Sequence, residues 1–183
     1  MNSESQNLSP LPGELWVIRL GRLPTDYEQT GQISAVTMDA AFQLSSSDEK
    51  ALPPSLSVWA ESLTTPKQAY GFLVENSPSS RCRLVLRLKV EDVRNIKGVA
   101  GPEKVYPGIL NVIWDYLFLD PETKNVRDER PGANGHAGIT GLDEKTTSEG
   151  LSKGQAKILR KDLRSKLADL ASGECWVMDE PEL

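Results

Sequence analysis

One histidine and two cysteines are all that 183 residues offer of the side chains that most often bind transition metals. Cys82 and Cys175 stand far apart, without the paired spacing of a zinc site, and only His136 could join them, so a structural metal centre is not expected. In a chain of ordinary apolar content the two thiols read as reduced and buried. Long apolar runs are also missing: the best, Ile109 to Leu119, is broken by Asn111 and Asp115, well short of the roughly 20 residues of a membrane span. The opening MNSESQNLSPLPGE has neither the basic start nor the apolar stretch of a secretory signal. A cytoplasmic location is the expectation.

Catalytic signatures are lacking as well. There is no GxSxG, no Gly-rich phosphate loop ending in Lys and Ser or Thr, and no GxGxxG between a strand and a helix. The cofactor is therefore unknown from the sequence, and whether the chain is an enzyme stays open. No 20 to 50 residue repeat is visible, which sets solenoids and propellers aside.

What is present is globular. Hydrophobic residues make up 38% and charged residues 26%, enough apolar area for one core and too much for general disorder. The net charge of -5 is uneven: residues 1–80 hold 4 basic and 9 acidic side chains, whereas residues 81–183 hold 17 of each. Positive charge thus gathers in the second half, where local patches matter more than the total.

Periodicity predicts an α+β domain, with a mixed or mostly antiparallel sheet and a few helices, over residues 14–178. Residues 1–13 read as a disordered tail and 179–183 as a frayed acidic one. Strands are predicted at 14–20, 33–38, 56–60, 81–90 and 108–118, with a short one in HAGITGL; 81–90 alternates without a break. The segments 45–54 and GVAGPEKVYPG read as loops. Thr65, Pro66 and Gln68 punctuate the start of a short helix, and EDVRNI makes about one helical turn. The longest helix starts at Ser152 and Gln155, carries Ala156, Leu159, Leu163, Leu167 and Leu170 in one stripe, and stops at Gly173.

Three features could carry chemistry. Lys153, Lys157, Arg160, Lys161 and Arg164 form an arc on that last helix away from its leucines, a pattern that suits an anionic partner but also arises from a solvated face. Arg81, Arg83, Arg87 and Lys89 share one side of a strand; they could hold phosphates or simply be the wet face of a sheet. Gly132, Gly135, Gly138 and Gly141 surround His136, whose imidazole would be the natural acid or base at neutral pH, with Asp115, Asp120, Asp128 or Glu129 to orient it. A structural histidine is the bland alternative.

The first functional reading is a non-enzymatic binding or regulatory domain that engages an anionic macromolecule, a nucleic acid or an acidic protein surface, through the basic helix. The second is a small hydrolase or phosphate-handling enzyme centred on His136, with Asp115 and Asp128 as partners. The third is an adaptor or immunity-like protein that binds a basic partner through the acidic first half. Convergence of His136 with an acid in one cleft favours the enzyme, whereas a basic helix and basic strand on one face favour the binder. Oligomeric state is not legible.

Overall fold

In the computed structural model of the protein, residues 9–22, 39–76, 82–102, 104–114 and 131–179 are described. Eight strands occur among them: β1 Trp16–Gly21, β2 Ser55–Ala60, β3 Leu84–Lys89, β4 Lys97–Val99, β5 Val105–Pro107, β6 Asn111–Trp114, β7 His136–Thr140 and β8 Cys175–Val177. Four α-helices accompany them: α1 Pro66–Asn76, α2 Val90–Asn95, α3 Glu144–Ser148 and α4 Lys153–Ser172. Six strands form one antiparallel sheet in the order β6-β7-β2-β1-β3-β8, and β4 pairs with β5 as a separate ribbon. The architecture is α+β with a long C-terminal helix.

Strand alternation sets the two faces. Val17, Leu56, Val58, Leu84, Leu86 and Leu88 point into one cluster with Leu159, Leu163 and Leu167 of α4. The helix forms where the sequence punctuates it: Ser152 Oγ accepts from the Gln155 amide and the Gln155 side chain accepts from the Ser152 amide. Leu163 and Leu167 are fully buried, but Leu170 is 39% exposed and Ala171 takes its place in the core. Ribbon strand β4 passes beneath this helix so closely that a Cβ on Gly98 would collide with Leu159 and lie 2.8 Å from a Leu163 methyl. Asp162 fastens the contact by accepting from the Val99 amide at 2.8 Å.

The opposite face carries a smaller cluster of Ile18, Leu20, Trp59 and Val85 under Ala69, Tyr70 and Phe72 of α1. That helix has the expected cap, with the Thr65 amide donating to Gln68 Oε1 at 2.8 Å and the Gln68 amide donating to Thr65 Oγ1 at 3.3 Å.

Three expectations shift. The amino-terminal boundary lies earlier than 14: Leu11 is 1% exposed, its amide donates to the Val112 carbonyl at 2.9 Å, and its carbonyl accepts from Arg94 Nη2 at 2.6 Å. A single buried leucine between two prolines has no periodicity to announce it. Within the segment read as a loop, Lys97–Val99 and Val105–Pro107 pair as the β4–β5 ribbon, because pairing supplies what three-residue strands lack in pattern. The 45–54 segment contains a 3-10 turn, Asp48–Lys50, with Asp48 5% exposed. The predicted strand 33–38 and part of 108–118 lie outside the described residues.

Candidate functional site

The sheet opens along a seam between β1 and β2. Val17 pairs with Ala60 and Ile18 with Trp59, and there the β1–β2 register ends, while β1 continues alongside β3 as far as Gly21. Ser57 on β2 thus meets side chains where a neighbouring strand would have been. Its carbonyl accepts from Arg19 Nη1 at 2.8 Å, and its amide donates to Asp48 Oδ1 at 3.2 Å. Backbone groups within a sheet need partners, and these two charged side chains supply them.

Both charges are held tightly. Asp48 Oδ1 also accepts from Ser57 Oγ at 2.9 Å, and Oδ2 accepts from the Ser45 amide and Ser45 Oγ, each at 2.8 Å. The Asp48 amide donates back to Ser45 Oγ at 3.2 Å, so Ser45 and Asp48 cap one another. Burial pushes the Asp48 carboxyl up, but the Arg19 charge and the Ser45 and Ser57 hydrogen bonds outweigh it and hold the group below its ordinary value. Burial pushes Arg19 down, with Asp48 and Cys82 acting in the opposite sense; a guanidinium remains charged regardless. Arg19 Nε donates to the Ala41 carbonyl at 3.1 Å, while Nη2 has no hydrogen-bond partner among the described residues.

The seam borders a cleft of about 410 Å³. Arg19, Asp48, Ser45, Ser47 and Ser57 make its polar end. Leu20, Trp59, Phe72 and Leu73 make an apolar wall, with Cys82 and His136 completing the lining. Trp59 stacks on Phe72 with ring centroids 5.1 Å apart and meets His136 edge-on at 4.7 Å. His136 is 2% exposed and opens β7, the strand paired with β2, which places it opposite Trp59.

His136 therefore does share a cleft with a carboxylate, but the carboxylate is Asp48. Asp115, Asp120, Asp128, Glu129 and Arg81 lie outside the described residues. The glycines around His136 serve packing. Gly132, Gly135, Gly138 and Gly141 are all buried, Thr64 Oγ1 donates to the Gly132 carbonyl at 2.6 Å, and a Cβ on Gly135 would strike Thr64. They form no exposed row of amides.

The two basic surfaces lie apart. Leu84, Leu86 and Leu88 face α4, so Arg87 and Lys89, which alternate with them, belong to the other side of the sheet. Arg87 is engaged by Glu61 at 2.8 Å and Glu174 at 3.5 Å and lies 4.0 Å from the centroid of a Trp16 ring; Lys89 pairs with Glu91 at 3.4 Å. Arg83 is half-buried. On α4, Arg160 donates to Thr147 Oγ1 at 3.2 Å and Arg164 approaches Asp39 at 3.7 Å. Lys153, Lys157 and Lys161 are exposed and make no ion pair among the described residues.

Arg19, Asp48 and Ser57 were not singled out by sequence reasoning. Two signals pointed to them: Ser45 and Asp48 have capping-box spacing inside a stretch read only as polar, and Arg19 interrupts an otherwise apolar strand. Cys82 and Cys175 are both free and partly buried, and burial raises the Cys175 thiol above its ordinary value. No group of three or more His, Cys, Asp or Glu side chains suited to a metal occurs among the described residues, and no described helix is long and apolar enough to cross a membrane. The chain matches no protein-family model, no curated protein and no solved structure.

Proposed function

We propose that the protein is a binding domain whose ligand is a small organic molecule held in the cleft beside the β1–β2 seam. The observation that carries this reading is the break in the sheet, where the side chains of half-buried Arg19 and buried Asp48 meet the Ser57 backbone in place of a strand and border a concavity walled by Trp59 and Phe72. A core that needed only stability would close such a seam with hydrogen-bonded strands, since burying charges gains little over apolar packing. A concave apolar wall with a few fixed polar groups is also the usual form of a small-molecule site.

Binding is favoured over proton transfer by the state of the two candidate groups. Asp48 accepts four hydrogen bonds and is held ionised, so it has no acceptor position left to take a proton from a substrate. His136 is packed against Trp59 and nearly all covered, which suits a wall of the site.

Cys82 supplies the test because it lines the cleft, whereas the other thiol, on β8, does not. In a Cys175→Ser background, alkylation of Cys82 by iodoacetamide should slow in the presence of a small-molecule fragment that occupies the cleft. A fragment library in which every binder leaves the rate unchanged contradicts this reading.

A second reading keeps the anionic macromolecule, supported by the four-residue spacing of exposed Lys153, Lys157 and Lys161 along α4. Arg160 and Arg164 are already engaged, so three lysines rather than five cations would carry it. The triple reversal of these lysines to Glu should abolish salt-sensitive binding to single-stranded DNA or polyglutamate. Unchanged binding by the reversed protein, or none by the parent at low salt, removes this reading.

A further inference from the structure

Resting on the cleft reading, we infer that the ligand is a small aromatic carboxylate, whose charged group is met by Arg19 Nη2 and whose ring lies along the Trp59 and Phe72 wall. The polar end of the cleft holds one cationic side chain with an open donor and one anionic side chain whose acceptors are filled. All four acceptor positions of the Asp48 carboxylate are taken by Ser45 and Ser57, so its negative charge is not open to a ligand's ammonium group. Two guanidinium nitrogens of Arg19 are consumed by the carbonyls of Ala41 and Ser57, and the third is unpartnered among the described residues. The group that completes this arrangement is an acceptor.

Charge and geometry narrow it further. A phosphate monoester carries about -1.5 to -2 at neutral pH and is best held by several converging donors or a guanidinium fork. Here the fork is already spent on carbonyls, and the ionised Asp48 offsets the Arg19 charge, so a dianion would meet one open donor and a neighbouring negative charge. A carboxylate has one charge and a planar acceptor face. At the other end, Leu20, Leu73, Trp59 and Phe72 bound the cleft with apolar side chains and ring edges, and about 410 Å³ accommodates a ring system with a short acidic arm.

The experiment is a titration of the Cys175→Ser protein with indole-3-carboxylate, its neutral carboxamide, phenyl phosphate and cyclohexanecarboxylate. Affinity is read by calorimetry and site occupancy by protection of Cys82 from iodoacetamide. Indole-3-carboxylate should protect Cys82 and bind about tenfold or more tightly than each of the others, one charge-assisted hydrogen bond or one ring contact being worth that factor. If phenyl phosphate or the carboxamide protects Cys82 at equal or lower concentration, the carboxylate assignment is overturned while the cleft reading stands. If none of the four protects Cys82 but another fragment does, the assignment fails alone; if nothing does, both fail. Arg19→Gln should erase the preference for carboxylate over carboxamide. Because that variant removes a seam contact, the Arg19 Nε–H resonance of the parent gives the same reading without substitution: it should shift on adding indole-3-carboxylate, and a stationary resonance at saturation contradicts the contact.

Discussion

The two sides of the six-stranded sheet are closed by different means. Beneath α4 the surfaces are apolar on both partners, and the fit is tight enough that Gly98 has no room for a methyl group. Beneath α1 the cover is partial, and at its margin a charged pair stands where two strands stop pairing. The first side spends its residues on stability. The second carries charged groups whose burial is expensive and whose arrangement leaves an opening, and the ligand site we propose belongs to that side.

The sharpest way to break the contrast is to remove Asp48. Asp48→Ala leaves the Ser45 and Ser57 amides without their acceptor, and at about 1–3 kcal/mol for each buried donor left unsatisfied should destabilise the fold by about 3–5 kcal/mol in urea denaturation. An effect below about 1 kcal/mol would show that the pair is solvated and the seam is ordinary surface. On the other side, Leu163→Ala should cost about 2–5 kcal/mol, through lost burial and the cavity left against Gly98. Leu11→Ala, at the early boundary of the fold, should cost about 2–3 kcal/mol, at the low end of that range because the residue lies beside the outermost strand. A loss near zero would return residues 9–13 to the status of a tail.

The pH dependence has a definite sign. The Asp48 carboxyl sits below its unfolded-state value of about 3.9, so its contribution is fully present above that value and disappears as pH falls through the folded one. The stability difference between the parent and Asp48→Asn should therefore be constant above about pH 5 and shrink below about pH 4. A difference that grew on acidification would contradict the account. Smallest of all, reversing Lys153, Lys157 and Lys161 to Glu should change stability by no more than about 0.5 kcal/mol, since all three are exposed.

The same contrast explains what could be read from the chain. The α4 side was legible because it is made of repeating patterns: leucines at helical spacing with a capping box, and leucines at every second position of β3. The seam was not, because it depends on where one strand stops pairing with the next, and register between distant segments leaves no local mark. Asp48 lay in a serine-rich stretch whose polarity signals exposure, and only its spacing from Ser45 hinted at a fixed turn. His136 was recognisable as unusual, yet its neighbours Trp59 and Asp48 come from another strand and a preceding loop. Helix α1 fell between these cases, its cap and apolar face being readable but not what it partly leaves uncovered.

The central claim, that ligand chemistry belongs to the seam and not to the α4 surface, is tested most directly by nitrogen-edited NMR of the labelled protein during addition of indole-3-carboxylate. The account predicts saturable shifts of the Trp59 indole N–H, the Arg19 Nε–H and the Ser57 amide, with the amides of Lys153, Lys157 and Lys161 unmoved. Shifts confined to those three lysines, or none at the seam at millimolar probe, would contradict it.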